Sequence, residues 1–392
     1  MFFGFFSNIG SSMYLIAMPL LVYQLTGSAS KMGTMYFFET LPILLISLFS
    51  GAIVDKYSKK IVMIFSNLVQ ALLMFLVAAL YQFDLVNMSL LYIVGFTLSL
   101  SGVFFSVANE SIIPIIVEKE LLIKVNSIFQ LYKTFASLIG PLLSGVLIGT
   151  TQNPVNALLF NGFSFLPVIG IVFLLKIKNV EIPKRKQSIF ADTKEGIVFV
   201  LKNRILIQLL MITLIVNLAH GTLAAMFIFF CVEKLEISSF LIGIIVSTSA
   251  GLQIITSLGI ARIYKRIKSI KVLTSTQAIS AVGILIIGLC KTWWMVGIGR
   301  SLTDIPVIFF NIVNRTLRQE IVPLEILGRV NGINRMVSLI TVPLAGIISG
   351  IIAEAIGVQN LFKLTGMFLL VISISLSLIL RTSISKIQTG NF

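Results

Sequence analysis

The chain has 392 residues, of which 57% are apolar and only 11% charged. Soluble domains hold roughly 45–50% apolar and about 25% charged residues, so this composition excludes a soluble enzyme, a disordered tail and a secreted disulfide scaffold. The formal net charge is nevertheless +15, from 30 Lys and Arg against 15 Asp and Glu; on a soluble chain that excess points to nucleic acid, and here its meaning depends on where the cations fall.

Apolar runs of about 20 residues match helices that cross a hydrocarbon core roughly 30 Å thick. Twelve are predicted in chain order: 2–26, 32–54, 61–82, 86–109, 122–149, 155–177, 205–231, 238–261, 272–290, 292–314, 326–353 and 357–380. They are too long and too uniformly apolar for the alternating segments of a closed barrel. The expected fold is an all-α membrane protein with twelve transmembrane helices in two six-helix repeats. Residues 1–177 form the first bundle, 178–204 a cytoplasmic linker and 205–392 the second bundle. The first span starts almost at Met1 without a basic lead, and no cleavable signal is expected before it. In the linker, Asp192 to Phe199 is expected to form a short amphipathic helix on the membrane surface, flanked by the basic Lys184-Arg185-Lys186 cluster.

Lys and Arg counted over alternate loops set the orientation. With both termini on one side, that side collects twenty-three cations, from Lys56, Lys59 and Lys60 through the linker to Arg381 and Lys386. The opposite side holds only Lys31, Lys234 and Lys291. Both termini are therefore expected in the cytoplasm of a bacterial-type inner membrane, and the positive excess reports topology, with no nucleic-acid partner.

The two halves repeat each other. Asn109, Glu120, Asn126 and the pair Ser144-Gly145 recur as Asn314, Glu325, Asn331 and Ser349-Gly350 at one constant shift. Apolar bias can align Ile, Leu and Val by chance, and this set of polar and small residues makes chance a much poorer explanation. Two six-span units in the same orientation are the organisation of many secondary transporters.

After the second span the chain reads Gly51-Ala-Ile-Val-Asp55-Lys56-Tyr57-Ser58-Lys59-Lys60. A glycine for close helix approach, an aspartate at the membrane edge and closing cations make a charge latch, formed in one conformation and broken in another. The alternative is an ordinary positive-inside loop. In span five, Gly140-Pro141-Leu142-Leu143-Ser144-Gly145 joins a helix breaker to small residues that permit close packing; the alternative is a passive kink. The Gly51–Lys60 loop resembles the signature loop between helices two and three of the major facilitator superfamily, and Gly140–Gly145 is similar to the antiporter motif of its exporters. Pro323-Leu-Glu325-Ile-Leu-Gly328-Arg329-Val330 resembles the macrolide-efflux and enterobactin-exporter branch. The resemblance covers essentially the whole chain. It implies an alternating-access carrier that exports a small molecule in exchange for protons. Exporters of this type often carry an arginine in helix four; here Leu98 stands near that place, and Arg300 in span ten is close to the pseudo-symmetric position. Coupling is then expected through other groups.

Charges inside the spans are costly, about 2.5–3.5 kcal/mol each at the centre on insertion scales, and usually face a cavity. Glu39 lies three residues before Pro42 in span two. It is expected either to exchange a proton during transport or to stand as a protonated or solvated carboxyl in the outer vestibule. Arg300 and Asp304, at i and i+4, can pair on one helix face, as a substrate or proton site or as a fixed structural pair. His220 is the sole histidine, with Asn217 one turn before it; its imidazole suits a proton step, and a packed polar role is the alternative. Lys133 and Arg335 are expected to snorkel. No phosphate loop for ATP, no metal-ligand cluster and no nucleophile elbow is present in the sequence, so no cofactor, no metal and no enzyme activity are expected. Cys231 and Cys290 are expected as two buried thiols.

The reading is thus a proton-coupled exporter, expected as a monomer, of an amphipathic small molecule such as a drug, a macrolide-like compound or a siderophore. An importer or lipid flippase of the same fold, and a non-transporting membrane sensor or immunity protein, stay open as alternatives.

Overall fold

In the computed structural model, the described residues are 2–46, 50–118, 121–174, 197–264 and 269–388; at some positions within them, Gly51 and Asp55 included, only the backbone is described. Thirteen helices account for nearly all of them. The first half holds α1 (Phe2–Thr26), α2 (Ala29–Ile46), α3 (Ser50–Lys56), α4 (Lys59–Gln82), α5 (Met88–Ile116), α6 (Leu122–Thr151) and α7 (Val155–Leu174). The second holds α8 (Arg204–Leu235), α9 (Ser239–Tyr264), α10 (Ser269–Leu289), α11 (Trp293–Ile321), α12 (Leu324–Ile356) and α13 (Val358–Gln388). A backbone in hydrocarbon must bond within itself, which is why the apolar runs become helices. Ten of these helices are long and apolar enough to cross a membrane, and α10 carries a shorter apolar stretch, Ser275–Leu289. The predicted second span falls on α2 and α3, with 47–49 outside the described residues. Most of the linker, 175–196, also lies outside them, and the predicted amphipathic helix with it; residues 197–202 are helical.

Helix ends lie where local chemistry puts them. Asn87 caps α5, its side-chain oxygen accepting from the Leu90 amide at 2.9 Å. Asp84, Gln152 and Glu236 take positive φ in the turns between helices, and Gly357, at φ +83°, lets α12 hand over to α13 in one residue.

The chain divides into two compact units. One joins Met1–Lys184 with Ile228–Ala250; the other joins Arg185–Phe227 with Gly251–Phe392. In the first unit, α1 packs on α6 and α7, α4 on α5 and α7, and α2 on α5. In the second, α10 is central to the packing of α11 and α13.

Small residues set the closest approaches. A Cβ on Gly283 of α10 would stand 2.5 Å from Thr303 Oγ1 and 2.7 Å from the Gly299 carbonyl of α11. Ser280 Oγ also donates to the Thr303 carbonyl at 3.2 Å. This tight seam uses one face of α11 and leaves Arg300, Asp304, Val307 and Asn311, spaced i, i+4, i+7 and i+11, on another.

Candidate functional site

That second face lines a cavity of about 320 Å³ in the second unit. From α11 it takes Arg300, Asp304, Val307, Phe310 and Asn311. From α8 come Val216, Asn217 and His220, and from α9 comes Gln253. Four of the five residues singled out from the sequence as substrate or proton candidates therefore meet in one place.

Arg300 Nε donates to Asp304 Oδ2 at 2.6 Å, with the two side chains 19% and 17% exposed. The flat guanidinium also rests over the Phe227 ring, 4.7 Å from its centroid. A charged pair in hydrocarbon needs such mutual neutralisation, and the ring adds a face that prefers a cation. His220 Nε2 is buried without a hydrogen-bond partner. Among the described residues, no hydrogen bond engages the side chains of Asn217, Gln253 or Asn311 either. The cavity thus pairs a neutralised ion pair with open donors and acceptors, an arrangement suited to binding a molecule.

Glu39, the fifth candidate, is not in this cavity. It sits on α2 in the first unit, where Tyr14 Oη of α1 donates to its Oε1 at 2.5 Å. Opposite it, α5 presents Gly95, whose missing side chain makes room: a Cβ there would lie 2.5 Å from Met35 Cε and 3.1 Å from Glu39 Cγ.

The Gly140–Gly145 segment of α6 presents two adjacent stripes. Gly140 and Ser144 face α1: a Cβ on Gly140 would run into Ser12 and lie 3.0 Å from the Ile9 carbonyl, while Ser144 Oγ donates to the Met13 carbonyl at 3.2 Å. Pro141 and Gly145 face α9: a Cβ on Gly145 would lie 2.6 Å from the Ser239 carbonyl, and one on Gly243 would lie 2.6 Å from the Pro141 carbonyl. The proline both removes a donor and presents its carbonyl to the crossing. Near the same ends of α1 and α8, Tyr23 Oη donates to Glu233 Oε2 at 2.8 Å, and the Tyr23 ring meets Phe229 edge-on.

In the latch loop, the packing of Gly51 and the side chain of Asp55 lie outside what the structure describes. Lys56 is exposed in the last turn of α3. Lys59 and Lys60 open α4, where cations are unfavourable to the helix dipole. Lys60 reaches instead to the end of α7, donating to the Phe173 carbonyl at 2.6 Å and covering the Phe173 ring. There it satisfies one of the carbonyls left over at a helix C-terminus.

A polar network also links α8, α11 and α12. Asn314 Nδ2 donates to Thr213 Oγ1 at 2.9 Å, and Arg318 donates to Asn314 Oδ1 and to Asn331 Oδ1, both at 3.1 Å. Asn314 and Asn331 had a sequence signal, their recurrence in the repeat; Arg318 counted only as a topology cation. Tyr14, Phe227, Gln253 and Asn311 had no signal, since each acquires its role through a tertiary contact. Lys133 and Arg335 are exposed.

The sequence profile of the Major Facilitator Superfamily matches residues 1–274 and 209–389. The chain is 23% identical to macrolide efflux protein A of Streptococcus pyogenes over 378 residues, covering 94% of this chain and 92% of that protein. It is 26% identical to the multidrug efflux pump Tap of Mycolicibacterium fortuitum over 221 residues, 53% of each. Among solved structures, the nucleoside transporter NupG superposes with a TM-score of 0.76 at 14% identity, covering 97% of both chains. A bacterial homologue of the iron transporter ferroportin, in an inward-facing state, superposes with a TM-score of 0.70 at 16% identity over 96% of this chain and 97% of that one. At these identities the structural likeness speaks for the fold.

Proposed function

The chain belongs to the Major Facilitator Superfamily, as an integral membrane transporter of small molecules and not an enzyme, and on that premise we propose that it exports an amphipathic small molecule by alternating access, driven by protons. The observation that carries the reading is the Arg300–Asp304 pair, held in a cavity walled by three membrane-spanning helices and surrounded by unpaired polar side chains. Export, rather than import, is favoured by the efflux proteins among the relatives and by the small-residue motif of α6. The six-span halves, 1–177 and 205–392, joined by 178–204, are the moving parts, in the cytoplasmic membrane with both termini inside. The chain works as a monomer.

In this reading the α8–α11 cavity binds substrate, and Glu39 with Tyr14 carries the proton. A carboxyl hydrogen-bonded to a phenol within the spans is a site where a proton can be taken up on one side and released on the other. The Gly51–Lys60 loop and the Gly140–Gly145 crossing form and break with each half-cycle.

Expression in a pump-deficient bacterial strain tests this. Erythromycin and ethidium are the probes, with and without a protonophore. Cells carrying the chain are expected to accumulate at least one probe to about a tenth of the control level, a difference that a coupling of about 1.4 kcal/mol would sustain, and the protonophore is expected to erase the difference. Glu39→Gln is expected to retain probe binding and lose protonophore-sensitive export. Export by Glu39→Gln at the wild-type rate removes Glu39 from the mechanism.

A further inference from the structure

The chemistry of the cavity narrows what it binds, and this rests on the transport reading above. Among the described residues that line it, the formal charges are Arg300 and Asp304, which already neutralise each other at 2.6 Å. The guanidinium also lies over the Phe227 ring. A charged ligand therefore meets a pair that carries no net charge. To gain a full counter-charge it must open the pair and leave one partner buried alone, which is the costly way to break such a contact.

The rest of the polar lining is neutral. The carboxamides of Asn217 and Gln253 each carry two donors and an acceptor oxygen, Asn311 adds a third carboxamide, and His220 Nε2 is buried and unpaired. A group that fills this ring must supply several hydroxyl-like donors and acceptors at once, at closely spaced points. Val216, Val307 and Phe310 complete the wall with apolar surface, which suits the C–H face of a ring. A volume of about 320 Å³ has room for one such ring, and not for the whole of a large amphipathic molecule.

We infer that this cavity recognises an uncharged polyhydroxylated ring, the sugar of a glycosylated amphipathic substrate, by hydrogen bonds from Asn217, His220, Gln253 and Asn311 around a closed Arg300–Asp304 pair. The apolar remainder of the substrate lies outside the cavity. Sites built to hydrogen-bond a substrate reject analogues that leave their polar groups unpaired, so the ring is where discrimination occurs.

Three probes that differ at one carbon test this on the full chain in lipid nanodiscs. They are p-nitrophenyl β-D-glucopyranoside, its C6-carboxylate (the glucuronide) and its 6-amino-6-deoxy analogue. Titration calorimetry is expected to give the neutral glucoside an affinity about tenfold or more above either charged analogue. Asn217→Val and Gln253→Leu, made separately, are each expected to weaken the glucoside about fivefold or more with the thermal unfolding midpoint unchanged. Equal or tighter binding of a charged analogue overturns the inference, as does failure of the glucoside to bind or indifference of its affinity to both substitutions. The transport reading fails separately: a chain that exports erythromycin and ethidium yet prefers a charged analogue keeps its transport role and loses this ligand class. A chain that binds the glucoside and exports neither probe keeps the ligand class and loses transport.

Discussion

Replacing Arg300 with alanine is expected to abolish export and to lower the yield of folded protein in the membrane. Arg300 and Asp304 are each more than four-fifths buried, and the carboxylate depends on a guanidinium 2.6 Å away. Taking away one partner of a buried pair costs about 3–5 kcal/mol, because the other charge is left without compensation. Asp304→Ala has the same defect with the opposite sign. A lysine at 300 keeps the charge but not the planar group that lies over Phe227 while its Nε bonds Asp304; its export is expected at about a tenth of wild type or less.

The informative variant is the double one, Arg300→Leu with Asp304→Leu. Removing both charges relieves the uncompensated burial, so the yield and the unfolding temperature are expected to return to about the wild-type level. Export is not expected to return, because the cavity has lost the pair around which its open donors and acceptors are arranged. Yield is read by quantitative blotting, stability by thermal unfolding in detergent, and export by loss of probe from preloaded cells. Full export by the double variant makes the pair structural and moves the substrate site elsewhere.

The second large effect belongs to the α6–α9 crossing. Gly145→Leu or Gly243→Leu is expected to cut export by about tenfold or more, since overpacking that no rotamer can relieve costs about 1–3 kcal/mol and forces backbone to move. The obstacles are main-chain atoms on both sides: the Ser239 carbonyl faces Gly145, and the Pro141 carbonyl faces Gly243, each 2.6 Å from where a Cβ would stand. Helices that meet through glycine approach closely enough to separate and rejoin without side chains interlocking. Gly149, one turn further along α6, is the control. A Cβ there would lie 3.6 Å from Phe240 Cβ, an ordinary contact, and Gly149→Ala is expected to export within about twofold of wild type. Equal loss at Gly149 and Gly145 would mean that α6 tolerates nothing along this face, and the crossing would lose its special standing.

The membrane helices were legible in the sequence because hydrocarbon leaves the backbone few choices. The first predicted span, 2–26, coincides with α1, Phe2–Thr26. Boundaries went astray where hydropathy and hydrogen bonding part company. The tenth span is predicted to stop at 314, near where apolar residues give way to Arg315, Arg318 and Glu320, yet α11 continues to Ile321. Its last turns carry Arg318, which bonds Asn314 and Asn331. Hydropathy reads the apolar slab; a helix runs on for as long as its carbonyls find partners.

The site divides along the same line. The Arg300–Asp304 pair was readable because i, i+4 spacing is local geometry, and Asn217 with His220 because they share one face of one helix. Phe227, Gln253 and Asn311 join the cavity only when α8, α9 and α11 come together, which pairwise spacing cannot express. The Gly140–Gly145 motif shows the converse. Its small residues were evident, but their split into a stripe facing α1 and a stripe facing α9 appears only with the neighbours in place. Glu39 stood out as an isolated charge, whereas its partner Tyr14 is one aromatic among many in an apolar helix.

Purified protein in liposomes offers the most direct measurement of proton-driven transport through the Arg300 cavity. Radiolabelled erythromycin is supplied outside, and a pH gradient is imposed with the acidic side within. The expected result is accumulation inside, above that of protein-free liposomes, that collapses when nigericin dissipates the gradient and whose excess is absent with the Arg300→Leu, Asp304→Leu protein. Accumulation that is indifferent to the gradient would contradict proton coupling, and accumulation by the double variant at the wild-type rate would contradict the site.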